Sequence, residues 1–348
     1  MRPSTASLPT KTILPRSSRK AEAAVFAVLA VLSVVSLRFG GYPLTFSDLF
    51  RIVNGKETGT AMTVFFGLRL PRVLTAILAG GVLGVTGAVC QTVFSNPLAS
   101  PDLTGVASGC SLGAAAAILL GLPAALRVPV SFAGGVAALA LLLLLVRVSG
   151  KHGAEPRSTY LLAGILISAA ADAGLMMLKT AADPERELAA IEYWTMGSFA
   201  AMTGEKALTA ACFSLPPLLL LMLFSRQALI LSRGREEARA VGVSPAVWQT
   251  VLLLLCTLAV AGVISAVGVI GFVGLIVPHI ALALGGSRGR GFLPLCFGVG
   301  GILTVLSDLL ARTVVRGAEL PVSIFCVGFA VLWFAFLFCR RKGVGTEC

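Results

Sequence analysis

The sequence predicts an all-α polytopic membrane protein of about ten transmembrane helices, and three observations carry that expectation. Apolar residues fill 57% of the 348 positions and charged residues only 13%, with a mean hydropathy of +0.93, whereas a soluble domain carries about 25% charged residues. Apolar runs of roughly 18 residues or more, the length that crosses about 30 Å of hydrocarbon, recur from end to end. The runs lack the period-two alternation of barrel strands, and a helix is the other way to satisfy every backbone group inside lipid.

Residues 1–22 form a basic tail carrying Arg2, Lys11, Arg16, Arg19 and Lys20. No small-x-small cleavage site comes after the first apolar run, so 23–39 is expected to be a retained first span. Further spans are expected at 72–93, 105–121, 128–148, 159–178, 206–225, 247–268, 272–285, 293–311 and 321–339, making 23–339 a single membrane domain followed by a short tail, 340–348. Between the first two spans, Leu44, Phe46, Leu49, Phe50 and Val53 are interleaved with Ser47, Asp48 and Arg51 and predict a short surface helix within 43–55.

The second span is preceded by Arg69-Leu70-Pro71-Arg72 and followed by Asn96-Pro97-Leu98-Ala99-Ser100-Pro101. Two guanidinium groups at one mouth and a rigid turn at the other leave a cationic edge, which would either pair with a partner's carboxylates or snorkel to lipid phosphate. Gly80, Gly84 and Gly87 line one side of this span, and Gly109 and Gly113 form a GxxxG in the next, as close helix packing in lipid requires. Asp172 lies within the fifth span and Asp308 within the ninth, and acids at such depth default to functional hypotheses. Asp308 is four residues before Arg312, close enough to pair with it and orient it.

Segment 226–246 concentrates charge in Arg233, Arg235, Glu236, Glu237 and Arg239, then offers Ala238, Ala240 and Gly242 as a small-residue face. It predicts two short helices separated by a glycine stop, suited to docking another protein; a solvated charged loop is the plainer reading. The string Gly268-Val269-Ile270-Gly271-Phe272-Val273-Gly274-Leu275-Ile276-Val277-Pro278-His279 cannot form one straight helix. Broken backbone of this kind is tolerated at membrane depth only inside protein or along a cavity. His279 reads as a structural or gating residue, since His152 is the only other histidine and no acid is near in sequence to complete a metal site.

With the N-terminus inside and an even number of spans, the basic clusters at 1–22, 147–157, 226–239, 288–290 and 340–342 all fall on the cytoplasmic side. The acids Asp183, Glu185, Glu187, Glu192 and Glu205 fall in one outer loop. The net charge of +12 is therefore a topology signal and not a nucleic-acid surface, which would need one clustered basic face. The eight cysteines contain no CxxC pair and sit mostly in apolar runs, as packing residues do. There is no GxxxxGK[ST] loop, no HExxH and no GxSxG, which removes the usual nucleotide cradle and the common hydrolase sites.

These motifs together resemble the FecCD family, the permease subunits of bacterial ABC importers for iron-siderophores, haem and vitamin B12, over about residues 23 to 325. The resemblance implies a vitamin B12/iron-siderophore importer permease-like fold and a transport subunit that is not itself an enzyme. ATP and Mg would be used by two separate ATP-binding subunits, with no cofactor or metal on this chain. It implies pairing with a second permease copy or paralogue and receipt of cargo from a substrate-binding lipoprotein or periplasmic protein. The setting would be the bacterial cytoplasmic membrane, with both termini cytoplasmic.

By position, the resemblance assigns Arg235, Glu236, Glu237, Ala238, Arg239 and Gly242, within coupling helices at about 229–243, to ATPase coupling. Arg69, Arg72 and Arg312 would dock the binding protein, and Asn96, Pro97, Gly271, Gly274, Pro278 and His279 would form gate or helix-break positions. The chain departs from the family pattern at Val241, where leucine is usual, and at Ile280-Ala281-Leu282, which lacks a basic residue. A third departure is Gly328-Phe329-Ala330, which lacks a proline. The alternative from a different class is a proton-coupled secondary transporter using Asp172 and Asp308.

Overall fold

A computed structural model describes residues 19–56, 59–150, 156–289, 291–315 and 318–342. Most of the basic N-terminal tail, the C-terminal 343–348, His152 and Arg290 lie outside the described residues, as does the side chain of Arg235.

The described chain is helical, with α1 at Arg19–Arg38, α2 at Phe46–Val53, α3 at Thr60–Val64, α4 at Leu70–Val93, α5 at Val106–Leu119 and α6 at Ala124–Gly150. Next come α7 at Pro156–Ala181, α8 at Ala189–Thr195, α9 at Gly204–Leu223, α10 at Ser225–Leu231 and α11 at Arg235–Ala240. The chain closes with α12 at Pro245–Val267, α13 at Val273–Gly285, α14 at Phe292–Ala311 and α15 at Val322–Lys342. Among the described residues, eight helical stretches are long and apolar enough to cross a membrane, and two shorter apolar helices, α5 and α13, occupy the places of the remaining two expected spans.

The largest departure concerns the second span. It does not begin at residue 72 but forms one helical stretch, Thr60–Val93, so Arg69 and Arg72 sit inside the helix and not ahead of it. Pro71 has no N–H to give the carbonyl four residues back. The chain absorbs this with a wide π turn at Phe65–Arg69, in which the Leu70 amide bonds five residues back to the Phe65 carbonyl.

Helix α4 is the axle of the bundle, buried almost without interruption from Val73 to Val93. Its glycines explain how it is gripped. A Cβ on Gly80 would stand 2.1 Å from the Gly300 carbonyl oxygen, one on Gly84 2.6 Å from that of Cys296, and one on Gly87 1.9 Å from that of Gly274. The α4 and α14 backbones therefore run antiparallel in direct contact, with Thr304 Oγ1 donating across them to the Ala76 carbonyl at 2.7 Å. The GxxxG of α5 works the same way against Gly134 and Val130 of α6. Helices α1 and α15 and much of α6, α7 and α9 form an apolar outer ring, as helices that are hydrophobic all round do when their solvent is lipid.

The expected surface helix is α2. Its capping box pairs Thr45 with Asp48, and Leu44, Leu49 and Ile52 bury against Phe65. Phe46 and Phe50 face outward instead of joining that cluster. The described cysteines carry no disulfide; most are buried, while Cys212 and Cys339 are exposed.

The bundle has two chemically distinct ends. At one, the end of α1 and of α14 meets the start of α4; this is the arginine end. The opposite end carries α10, α11 and the starts of α1 and α14, where Gly291 abuts Glu22.

Candidate functional site

At the arginine end, the helix C-terminus of α1 presents carbonyl oxygens that no further turn satisfies. Two guanidinium groups take them. Arg69, only 4% exposed, donates to the carbonyls of Leu37 at 2.7 Å, Arg38 at 2.5 Å and Tyr42. Arg312 donates to the carbonyls of Ser36 and Phe39, both at 2.9 Å, and to the Ser36 hydroxyl.

Asp308, fully buried one turn before Arg312, accepts from Arg72 Nη2 at 2.8 Å and from Arg72 Nε at 3.0 Å. The expected pair with Arg312 is present at a longer 3.5 Å. The outer face of the Arg72 fork holds Glu319 through both carboxylate oxygens, at 3.0 and 2.9 Å. Three cations thus stand against two carboxylates around a cavity of about 450 Å³, lined in part by Tyr42, Arg69, Arg72, Met202, Arg312 and Glu319. The three arginines are gathered in one place, but each is already engaged by its own chain. Sequence reasoning misses Glu319, the exposed member, because its separation from Arg72 along the chain gives no local signal.

At the opposite end, α10 and α11 form the expected pair of short helices, broken at Gly234. Ala238 is fully buried and anchors α11, so it does not share an outward small-residue face with Ala240 and Gly242. Glu236, Glu237, Arg239, Val241 and Gly242 are exposed. Gly242 adopts φ 78°, the left-handed region, and a Cβ there would meet nothing within 4 Å.

The Asn96–Pro97 turn lies at this same end. Asn96 Oδ1 accepts from the Leu98 amide at 2.9 Å, the Asx turn such residues favour, and Ser95 sits at φ 48°. Beyond it the chain turns inward, burying Ala99, Pro101 and Thr104.

The broken segment behaves as its glycines and proline dictate. Helix α12 stops at Gly268, which accepts φ 79°, and α13 starts only after Phe272, a non-glycine residue at φ 66°. The 13 residues of α13 rise about 20 Å, short of a full crossing, and in the non-helical 268–272 ahead of it Gly268 and Ile270 are buried while Phe272 is exposed. Gly274 lies against Pro101 and α4, Pro278 is buried, Gly271 is half-buried, and the His279 ring meets Phe334 edge-on at 5.8 Å. Gln91 of α4 donates to the Leu275 carbonyl at 3.1 Å and accepts from Arg288 at 3.3 Å.

The two intramembrane acids have different fates. Asp308 is held in two guanidinium contacts. Asp172 is exposed on α7 and makes no hydrogen bond or ion pair among the described residues. The structure does not bring the two together, and a proton relay linking them has no geometric support.

Comparison with known proteins places this arrangement. The chain is 33% identical over 322 residues to the molybdate import system permease protein MolB of Haemophilus influenzae, covering 90% of this chain and 94% of that protein. It is 34% identical over 297 residues to the hemin transport system permease protein HmuU of Yersinia pestis, covering 84% and 88%. Among solved structures it superposes with a TM-score of 0.83, at 31% identity and over 93% of this chain and 100% of the other, on an ABC transporter of metal-chelate type in an inward-facing conformation. The FecCD transport family model matches residues 28–340, and this multi-span chain belongs to the FecCD transport family.

Proposed function

We propose that this chain is the permease subunit of a bacterial ABC importer that passes an iron-siderophore, or a related haem- or vitamin B12-like complex, from a binding protein into the cytoplasm. A second permease copy would complete the pathway. Two ATP-binding subunits would bind ATP and Mg and dock at α10 and α11, and both termini would then be cytoplasmic. The relatives are named for molybdate, hemin and vitamin B12, all metal-containing, which supports a metal-containing cargo, with iron-siderophore as its first member.

The observation that carries the reading is the α10–α11 unit. At the end of the bundle opposite the arginine cluster, a short helix anchored by Ala238 holds Glu236, Glu237 and Arg239 outward beside an open Gly242. A rigid charged platform with a shallow glycine seat is a docking feature, since polar rims and close backbone approach are what such interfaces use. At the arginine end, the excess cation charge suits an acidic partner and would steer its approach. There Glu319 occupies the Arg72 fork, so an incoming carboxylate must displace it or use the remaining charge.

The test is co-purification from native membranes. A nucleotide-binding subunit should accompany the wild type and be lost from Gly242→Arg, which fills the seat, and from Glu237→Lys, which inverts the platform charge without a backbone constraint. If no ATP-binding protein accompanies the wild-type chain, the importer reading fails. If it accompanies all three alike, the docking assignment fails.

A further inference from the structure

A second basic feature lies at the α10–α11 end, beside α10 and apart from the exposed charges of α11 and from the arginine cluster. A cavity of about 290 Å³ opens between α10, the end of α4 and the start of α14. Arg226 and Arg288 both line it, and its walls are otherwise largely apolar, formed by Val89, Met222, Leu229 and Phe292. Neither arginine has a carboxylate partner among the described residues. Arg226 is exposed and makes no hydrogen bond or ion pair there, while Arg288 is held in place by Gln91 Oε1 at 3.3 Å and lies over the Phe292 ring at 5.9 Å. Burial pushes the Arg288 guanidinium below its usual value, as it does for a cation with no carboxylate beside it.

The cavity sits where α9 ends at Leu223, α4 ends at Val93 and α14 begins at Phe292, at the ends of three helical stretches long and apolar enough to cross a membrane. Guanidinium groups bind phosphate oxygens bidentately, and basic pockets between membrane helices at headgroup level take anionic lipids. An apolar wall beside two unpaired cations matches a phosphodiester with an acyl chain attached, and does not match a free, fully hydrated anion. We propose that this cavity is a binding site for the phosphate of an anionic phospholipid, bridging α10 to the start of α14. Such a lipid would brace the short helices from below their exposed platform.

The experiment uses the full-length chain in detergent, with Tm read by tryptophan fluorescence. Trp248 reports from close by, its ring 5.0 Å from Phe224 at the α9–α10 junction. Phosphatidylglycerol should raise Tm, while phosphatidylcholine and inorganic phosphate at the same concentrations should not. The Arg226→Gln/Arg288→Gln double variant should need about 30-fold more phosphatidylglycerol for the same shift, from the contribution of two arginines at an anionic lipid surface. Arg233→Gln, an exposed charge outside the cavity, should respond as the wild type. Should the double variant fail to fold, Arg226→Gln alone should still lose about fivefold, because that side chain supports nothing else. An unchanged response in the arginine variants, or an equal shift with inorganic phosphate, overturns the proposal.

Discussion

Asp308 shows how little a sequence reveals about a side chain's burden. The i,i+4 relation to Arg312 was legible, yet the shorter and stronger partner is Arg72, 236 residues away along the chain. Replacing Asp308 with Asn leaves two buried guanidinium groups short of counter-charge, and breaking a buried pair in this way costs about 3–5 kcal/mol. Glu319 is 38% exposed on its side chain, and screening by water limits its pair to about 1 kcal/mol or less. Thermal unfolding in detergent should therefore rank Asp308→Asn far below Glu319→Gln; equal losses would mean the buried network is not what ties α4 to α14. Arg69 carries the same lesson. The Arg69–Arg72 spacing announced a cationic mouth, but only the fold shows that Arg69 is spent on the end of α1.

Among the helices, the glycines of α4 were visible as a stripe, while their partners Gly300, Cys296 and Gly274 were not, because periodicity names a face and not what lies against it. Gly87→Ala should force two backbones apart and cost about 1–3 kcal/mol, as overpacking does. Gly328→Ala in α15, where a Cβ meets nothing within 4 Å, should be neutral or stabilise by up to about 1 kcal/mol through helix propensity. Melting temperatures of the two variants in the same detergent decide the matter, and similar losses would refute the close-contact account. Helix α2 offers a pH test. Its Asp48 carboxyl accepts hydrogen bonds from the backbone and side chain of Thr45, which hold it below the ordinary value of 3.8. The stabilisation is thus complete above pH 3.8 and is lost as pH falls through the depressed value. Amide exchange in α2 should stay slow at pH 5 and speed up beyond its intrinsic pH dependence only below about 3.8; in Asp48→Asn that acid-induced change should vanish.

For the molecule as a whole, length and hydropathy alone were enough to place the membrane spans, because crossing lipid demands a long apolar helix wherever it occurs. The expected spans agree with the helices within a few residues except the second, where the π turn ahead of Pro71 lets the helix begin twelve residues early, at Thr60 rather than 72. The broken eighth span was equally legible, since three glycines and a proline within an apolar run leave the backbone no continuous ladder. The paired short helices were legible too, but not their facing: Ala238 turned inward because an anchored helix must bury something, and the sequence does not say which small residue that is. What the sequence by itself determined, then, was the class, the spans and the chemical kind of each special segment, all set by local composition in a solvent that tolerates few alternatives. Only the tertiary structure decided that the arginines are internally engaged, that Asp308 is locked while Asp172 faces outward, and that Arg226 and Arg288 meet at one cavity. Those pairings join residues tens to hundreds of positions apart, and nothing short of the packed bundle determines which of them meet.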